Sequence, residues 1–276
     1  MTRPSEYQAP SNIIGVFDSG VGGLSVLKSL RLWMPQAQFI YLADSGHAPY
    51  GERLDDYVLD RSRRITQHLL QAGRCQGIVI ACNTATAVAV QQLRTEWPKV
   101  PLIGVEPGVK PAVAASINKR IGVMATTATL RHPRFQALVQ AHASAAQVIA
   151  QPCPGLALAI EQGDLQSVEV KRLLDQYCAQ LRDKEADTVV LGCTHYAFVH
   201  DQIAEQLGSG VRIIDTAEAV AKQATRLLHA PTSMGSTPET QVAPSIELLT
   251  TGHEEQLQHI AQTWLGLTQT ARKISV

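Results

Sequence analysis

Residues 77–87 read GIVIACNTATA, and residues 188–196 read TVVLGCTHY. Each is an apolar run of strand length that reaches a small residue and a cysteine, then polar residues suited to begin a helix. The same grammar twice in one chain predicts two similar units, with Cys82 and Cys193 at matching strand-to-helix turns. It predicts further that a helix dipole and free backbone N–H groups face each thiol, a setting that favours thiolate.

Outward from these runs the strand-then-helix pattern continues. Strands are expected at residues 13–17, 38–43, 77–81 and 101–105, with helices at 24–33, 54–72 and from 83 to about 97. The pattern restarts with strands at 120–125, 147–150, 188–192 and 211–214, and helices after 127, around 161, at 168–181 and at 217–229. Each half thus has four units, with the cysteine after the third strand. Near-continuous apolar strands alternating with helices imply an α/β fold of two pseudo-symmetric domains, each a parallel-type sheet flanked by helices. Ligands of such sheets bind beyond the carboxyl ends of the strands, which places the active site in the interdomain cleft. Residues 230–244, rich in Pro, Ser and Thr, read as a connection. A strand at 246–249 and a helix at 256–265 are expected to return to the first domain as an edge element, and residues 1–12 read as a loose tail.

Charge and cysteine content narrow the partners. Lys plus Arg and Asp plus Glu balance at 24 each, without long blocks of one sign, which argues against a nucleic-acid or membrane surface and for a small neutral or zwitterionic ligand. The five cysteines, at 75, 82, 153, 178 and 193, form no CxxC pair and no zinc-type spacing, so neither a disulfide framework nor a metal site is expected. Together with the lack of a leader-like or membrane-spanning apolar run, this points to a reducing, cytoplasmic compartment.

Each candidate site residue also has a plain structural role. A cysteine after an apolar strand is commonly an inert buried filler, and Cys75 and Cys178 read that way. Asn83, Thr84, Thr194 and His195 suit helix caps, yet the same helix starts can bind a ligand carboxylate. Asp18 suits a turn or can hold an ammonium; Thr126 ends another strand at the same mouth. Tyr50-Gly51 suits a lid or a turn, and Glu161 and Asp164 read as helix-end charges. Gly20-x-Gly22 after a strand, with Asp44 further on, invites a dinucleotide reading, although Ser25 stands at the third glycine and Asp18 would face the pyrophosphate.

Two thiols at equivalent positions fit one chemistry best. A hydrolase needs a single nucleophile and a base, whereas inversion of a carbon centre needs one group to remove a proton from one face and a second to deliver one to the other. No lysine stands in a pyridoxal-type context, so proton transfer is expected without a cofactor.

FDSGVGGLSV (17–26), ADSGHAPYG (43–51), ACNTATA (81–87), GVEPGVKPAV (104–113) and LGCTHY (191–196) together resemble the glutamate racemases, across nearly all of residues 13–214. The resemblance implies cofactor-independent racemisation of glutamate, supplying D-glutamate for peptidoglycan, by Cys82 and Cys193 with Asp18 and His195 assisting. It implies substrate contacts from Asp18, Ser19, Tyr50, Gly51, Asn83, Thr84, Thr194 and His195, with Thr126 beside them and Glu161 near the site. It also implies a first domain of residues 1–105 and 212–276, a second of residues 106–211, hinge closure over the ligand, and a homodimer as an expected assembly. Ala197, where the family usually has proline, and the DTAEAVA segment depart from its pattern without touching the chemistry. The competing readings are a racemase for aspartate or a related acidic or hydantoin-type substrate, an NAD-linked oxidoreductase, and a non-catalytic amino-acid binding protein.

Overall fold

The computed structural model describes residues 12–228 and 245–276. The tail at 1–12, except Asn12, the connection at 230–244 and His229 at the end of an expected helix lie outside the described residues.

The first sheet holds β1 (Ile13–Asp18), β2 (Gln38–Ala43), β3 (Gly77–Ile80) and β4 (Leu102–Gly104), interleaved with α1 (Leu24–Trp33), α2 (Asp55–Gln71) and α3 (Asn83–Glu96). The second holds β5 (Arg120–Ala125), β6 (Gln147–Pro152), β7 (Thr188–Leu191) and β8 (Arg212–Ile214). Their spatial orders, β2-β1-β3-β4 and β6-β5-β7-β8, are the same, and every pairing is parallel. Gly77–Ile80 and Thr188–Leu191 are buried at every residue. This is the pattern of central strands covered by helices on both faces.

Helices distribute between the two sheets as their apolar faces require. On α1, Leu24, Val26, Leu27 and Leu30 are buried and the helix packs on α10 (Ala217–Leu228). α4 (Val109–Ala115) follows β4 but packs against β5, β7 and β8. The chain therefore crosses to the second sheet after β4 and returns after β8.

Three details differ from the sequence expectation. β8 hydrogen-bonds to β7, so the second sheet runs through Ile214 and the boundary expected at 211/212 moves beyond it. The returning strand β9 (Ile246–Thr250) pairs with β2 on one side and with β10 (Ala271–Lys273) on the other, so β10 is the edge. β10 has three residues, two of them Arg272 and Lys273, which suits an edge protected from further pairing. The helix expected after Thr127 is broken into α5 (Thr127–Arg131) and α6 (Pro133–His142). Pro133 forces His132 into extended backbone, ψ 136°, and His132 then caps α6 through Nδ1 at 3.2 Å from Arg134 N.

The remaining elements tie the halves together. α7 (Leu156–Glu161), α8 (Val168–Asp183) and α9 (His200–Leu207) belong to the second half, and α11 (Glu254–Leu265) lies between β9 and β10. Trp264 of α11 stacks on Phe198, with ring centroids 3.9 Å apart.

Leu27→Ala, which empties a fully buried site on α1, is expected to cost about 2–5 kcal/mol in urea unfolding. Leu32→Ala on the same helix, where the side chain is 75% exposed, should change stability by no more than about 0.5 kcal/mol.

Candidate active site

Both cysteines emerge two residues beyond the third strand of their set, and both line one cavity between the sheets. From the first half the cavity wall takes Ser19, Pro49, Tyr50, Gly51, Cys82, Asn83 and Thr84. The second half supplies Thr126, Ala157, Cys193, Thr194 and His195.

The turns that carry the two thiols are not alike. Cys82 is the N-cap residue of α3, and its Sγ accepts from Ala85 N at 3.5 Å. Cys193 instead precedes a 3-10 helix, Thr194–Val199. The expectation of a helix start behind each thiol is therefore corrected for Cys193, where a 3-10 turn and the side chain of His195 stand instead.

Behind each thiol stands a polar group and then a carboxylate. Cys82 Sγ donates to Ser19 Oγ at 3.7 Å, and Ser19 Oγ donates to Asp18 Oδ1 at 3.0 Å. Cys193 Sγ lies 3.8 Å from His195 Nδ1, and His195 Nε2 lies 2.7 Å from Glu161 Oε2. Asp18 and Glu161 do not line the cavity. Asp18 is fully buried, with Oδ1 accepting from Gly20 N at 2.9 Å and Oδ2 from Thr194 Oγ1 at 2.7 Å. Glu161 accepts from Val21 N at 2.8 Å and from Ser45 Oγ at 2.6 Å. Both were expected among the substrate contacts; here they lie behind the cavity wall, with their oxygens accepting from protein donors.

Burial sets the electrostatics. Loss of water, followed by the nearby Asp18 charge, pushes the Cys82 thiol well above its ordinary range. Desolvation raises the Asp18 carboxyl too, against the opposing effects of His195 and of its own hydrogen bonds. For His195, burial pulls downward, but the hydrogen bonds to Cys193 and Glu161 and their charges outweigh it, leaving the imidazole pKa well above 6.5.

The glycine turn after β1 is filled by the protein itself. A Cβ at Gly20 would stand 2.1 Å from Glu161 Oε2, and one at Gly22 would stand 2.3 Å from His195 Nδ1. The space a pyrophosphate would need is occupied, and Asp44 is engaged by Arg61, Tyr50 and Thr251. The dinucleotide reading is therefore set aside. Among the described residues no group of His, Cys, Asp and Glu is arranged to hold a metal ion.

Opposite Gly51, three hydroxyls join the halves: Thr84 Oγ1 lies 2.9 Å from Thr126 Oγ1 and 3.2 Å from Thr129 Oγ1. Thr129, Pro49 and Ala157 are additions to the expected set. Ala157 shares the LALAIEQGD segment with Glu161, which is the signal that could have found it.

His195 gives a pH prediction with a defined sign. Its folded-state pKa exceeds the unfolded value near 6.5, so the folded state binds the proton more tightly. The stability this contributes is full below about pH 6.5 and is lost as pH rises through the folded value. The difference in urea-unfolding free energy between the unmodified protein and His195→Gln should therefore shrink as pH is raised above 6.5; a difference that grows with pH would contradict the assignment.

Known proteins share this architecture. Residues 24–224 match the model of the Asp/Glu/Hydantoin racemase family. A glutamate racemase of Pseudomonas aeruginosa is 43% identical over 266 residues, covering 96% of this chain and 98% of its own. A crystal structure of a Bacillus anthracis glutamate racemase superposes with a TM-score of 0.84 at 29% identity, over 96% of this chain and 97% of that one. The Escherichia coli glutamate racemase, solved with L-glutamate and an activator, superposes with a TM-score of 0.82 at 31% identity, over 96% and 99%. With its repeated sheets and paired cysteine turns, the chain belongs to the Asp/Glu/Hydantoin racemase family.

Proposed function

We propose that this protein interconverts L- and D-glutamate by passing the α-proton between substrate and two thiols, with no cofactor taking part. The observation that carries the reading is that Cys82 and Cys193, from equivalent positions of two repeated sets, line one cavity, each backed by its own carboxylate.

One thiolate takes the α-proton from one face of the substrate and becomes S–H, leaving a planar carbanion. The second thiol gives its S–H proton to the opposite face and becomes the thiolate, so atoms and charge balance. In the reverse direction the two exchange roles. The same burial that makes Cys82 a weaker acid makes its thiolate a stronger base, which narrows the gap to the weakly acidic α-carbon. At the other thiol, His195 Nδ1 stands 3.8 Å from the sulfur, within reach for a hydrogen bond to it. Asn83 and Thr84 present amide and hydroxyl groups to the substrate carboxylates, and the start of α3 adds backbone N–H groups, while Ser19, Thr126 and Thr194, whose hydroxyl hydrogens go to Asp18 and Thr129, face the cavity as acceptors.

Glutamate is favoured over aspartate because similarity to glutamate racemases extends over nearly the whole chain. We place the reaction in the cytoplasm, supplying D-glutamate for peptidoglycan synthesis, and expect a homodimer. These points rest on the resemblance to the family, on the balanced charge and on the finding that no described helix is long and apolar enough to cross a membrane.

Incubation with L-glutamate in deuterated water without added cofactor should give D-glutamate carrying α-deuterium, read by NMR and chiral chromatography. The absence of both D-glutamate and α-deuterium would sink the reading, and binding without exchange would identify an amino-acid binding protein. Cys82→Ala and Cys193→Ala should each lower racemisation by about 10²–10⁴-fold or more; full activity in either would end the two-thiol scheme.

A further inference from the structure

The loop between β2 and α2 supplies Pro49, Tyr50 and Gly51 to the cavity wall. Gly51 has only backbone to offer, and a Cβ there would stand 2.6 Å from Thr126 Cβ. The Tyr50 hydroxyl is turned to protein, donating to Asp44 Oδ2. What this loop can present to a ligand is therefore main chain, and main-chain groups serve a site only where the loop is fixed to within about 0.5 Å.

The fixing comes from outside the cavity. Arg61 of α2 grips Asp44 with two nitrogens, Nε to Oδ2 at 3.0 Å and Nη2 to Oδ1 at 2.8 Å. Its remaining nitrogen, Nη1, donates to the backbone carbonyl of Val276, in the segment that follows β10. Thr251, just after β9, donates to Asp44 Oδ1 at 2.7 Å and accepts from Gly46 N at 3.1 Å. Asp44 N in turn donates to Asp18 O at 3.0 Å, beside the Ser19 and Cys82 relay. The pair is buried, with 6% of the Arg61 side chain and none of Asp44 exposed. Desolvation offsets much of the attraction in such a pair, so its effect lies in geometry more than in net stability.

We infer that Arg61 is a positioning residue of the substrate site, acting through Asp44 and Tyr50, with the segment after β10 as its outer support. This rests on the glutamate racemase reading for its substrate. The planar fork is essential: a lysine would keep the charge but reach Asp44 through a single nitrogen and release Val276. Because the loop would bind ground state and transition state alike, its misplacement shows in KM more than in kcat.

The test is steady-state kinetics in both directions, with thermal midpoints, on Arg61→Lys and Thr251→Val. Arg61→Lys should raise KM for L- and D-glutamate by about tenfold with kcat within about threefold of the unmodified protein, and Thr251→Val should raise KM by about threefold. A lowered thermal midpoint with unchanged KM marks a purely structural pair and overturns the proposal, as does a fall in kcat at unchanged KM. If Arg61→Lys does not fold, Thr251→Val decides alone, since it leaves the ion pair in place. Absence of exchange in the unmodified protein overturns the underlying reading; unchanged KM in active variants overturns this proposal only.

Discussion

Two buried carboxylates join the halves of the molecule, and each accepts hydrogen bonds from the half to which it does not belong. Asp18, at the end of β1, takes the Thr194 hydroxyl; Glu161, at the end of α7, takes Val21 N and Ser45 Oγ. Removing carboxylates from water is costly, and charge-assisted hydrogen bonds offset that cost only with all donors in place. The donors include backbone of the Gly20–Gly23 turn, whose close approach excludes a Cβ. The glycine turn, the two carboxylates and the joining of the halves are thus one constraint.

This constraint sets up two thiols with unequal surroundings. Cys82 has a fourteen-residue helix and a hydroxyl at its back; Cys193 has a 3-10 turn and an imidazole. The proposed two-thiol scheme requires each thiol to serve as acid and as base, but it does not require identical means. A helix start presents fixed partial charges to one sulfur, and an imidazole nitrogen faces the other. The duplicated fold supplies the opposition of the thiols, and divergence within it supplies the difference.

Much of this was legible in the sequence for a physical reason. Buried parallel strands must be apolar on both faces, so the GIVI and TVVL runs stood out, and polar residues at strand ends marked the mouth of the site. Ten of the twelve expected site residues line the cavity. Asp18 and Glu161 lie behind it because residue type announces a carboxylate but not the direction in which it points. Pro133 was visible, and its restriction of His132 to extended backbone is what splits the helix. Arg61 gave no signal: it sits on a charged helix, and only the fold brings it to Asp44 and Val276. β10 escaped because three residues carry no periodicity.

Cys82 and Cys193 are only 5% and 7% exposed, and hydrogen bonds between the halves hold the surroundings of the cavity together. Those bordering it are polar: Thr194 with Asp18, Thr84 with Thr126, and Ser45 with Glu161. Polar groups that separate re-pair with water, so breaking the Thr84–Thr126 bond costs about 0.5–1.5 kcal/mol net and each bond to a carboxylate about 1.5–3 kcal/mol. Stacked Phe198 and Trp264 have no such compensation, and exposing their rings would forfeit burial at about 25 cal/mol per Å². The contacts at the cavity are thus of the kind that water can replace, and the aromatic contact is not. The sheets themselves need not change, because the hydrogen bonds of each ladder lie within one half. A site that must exclude water during proton transfer can in this way still admit its substrate, since its walls are joined by the kind of contact that water can replace.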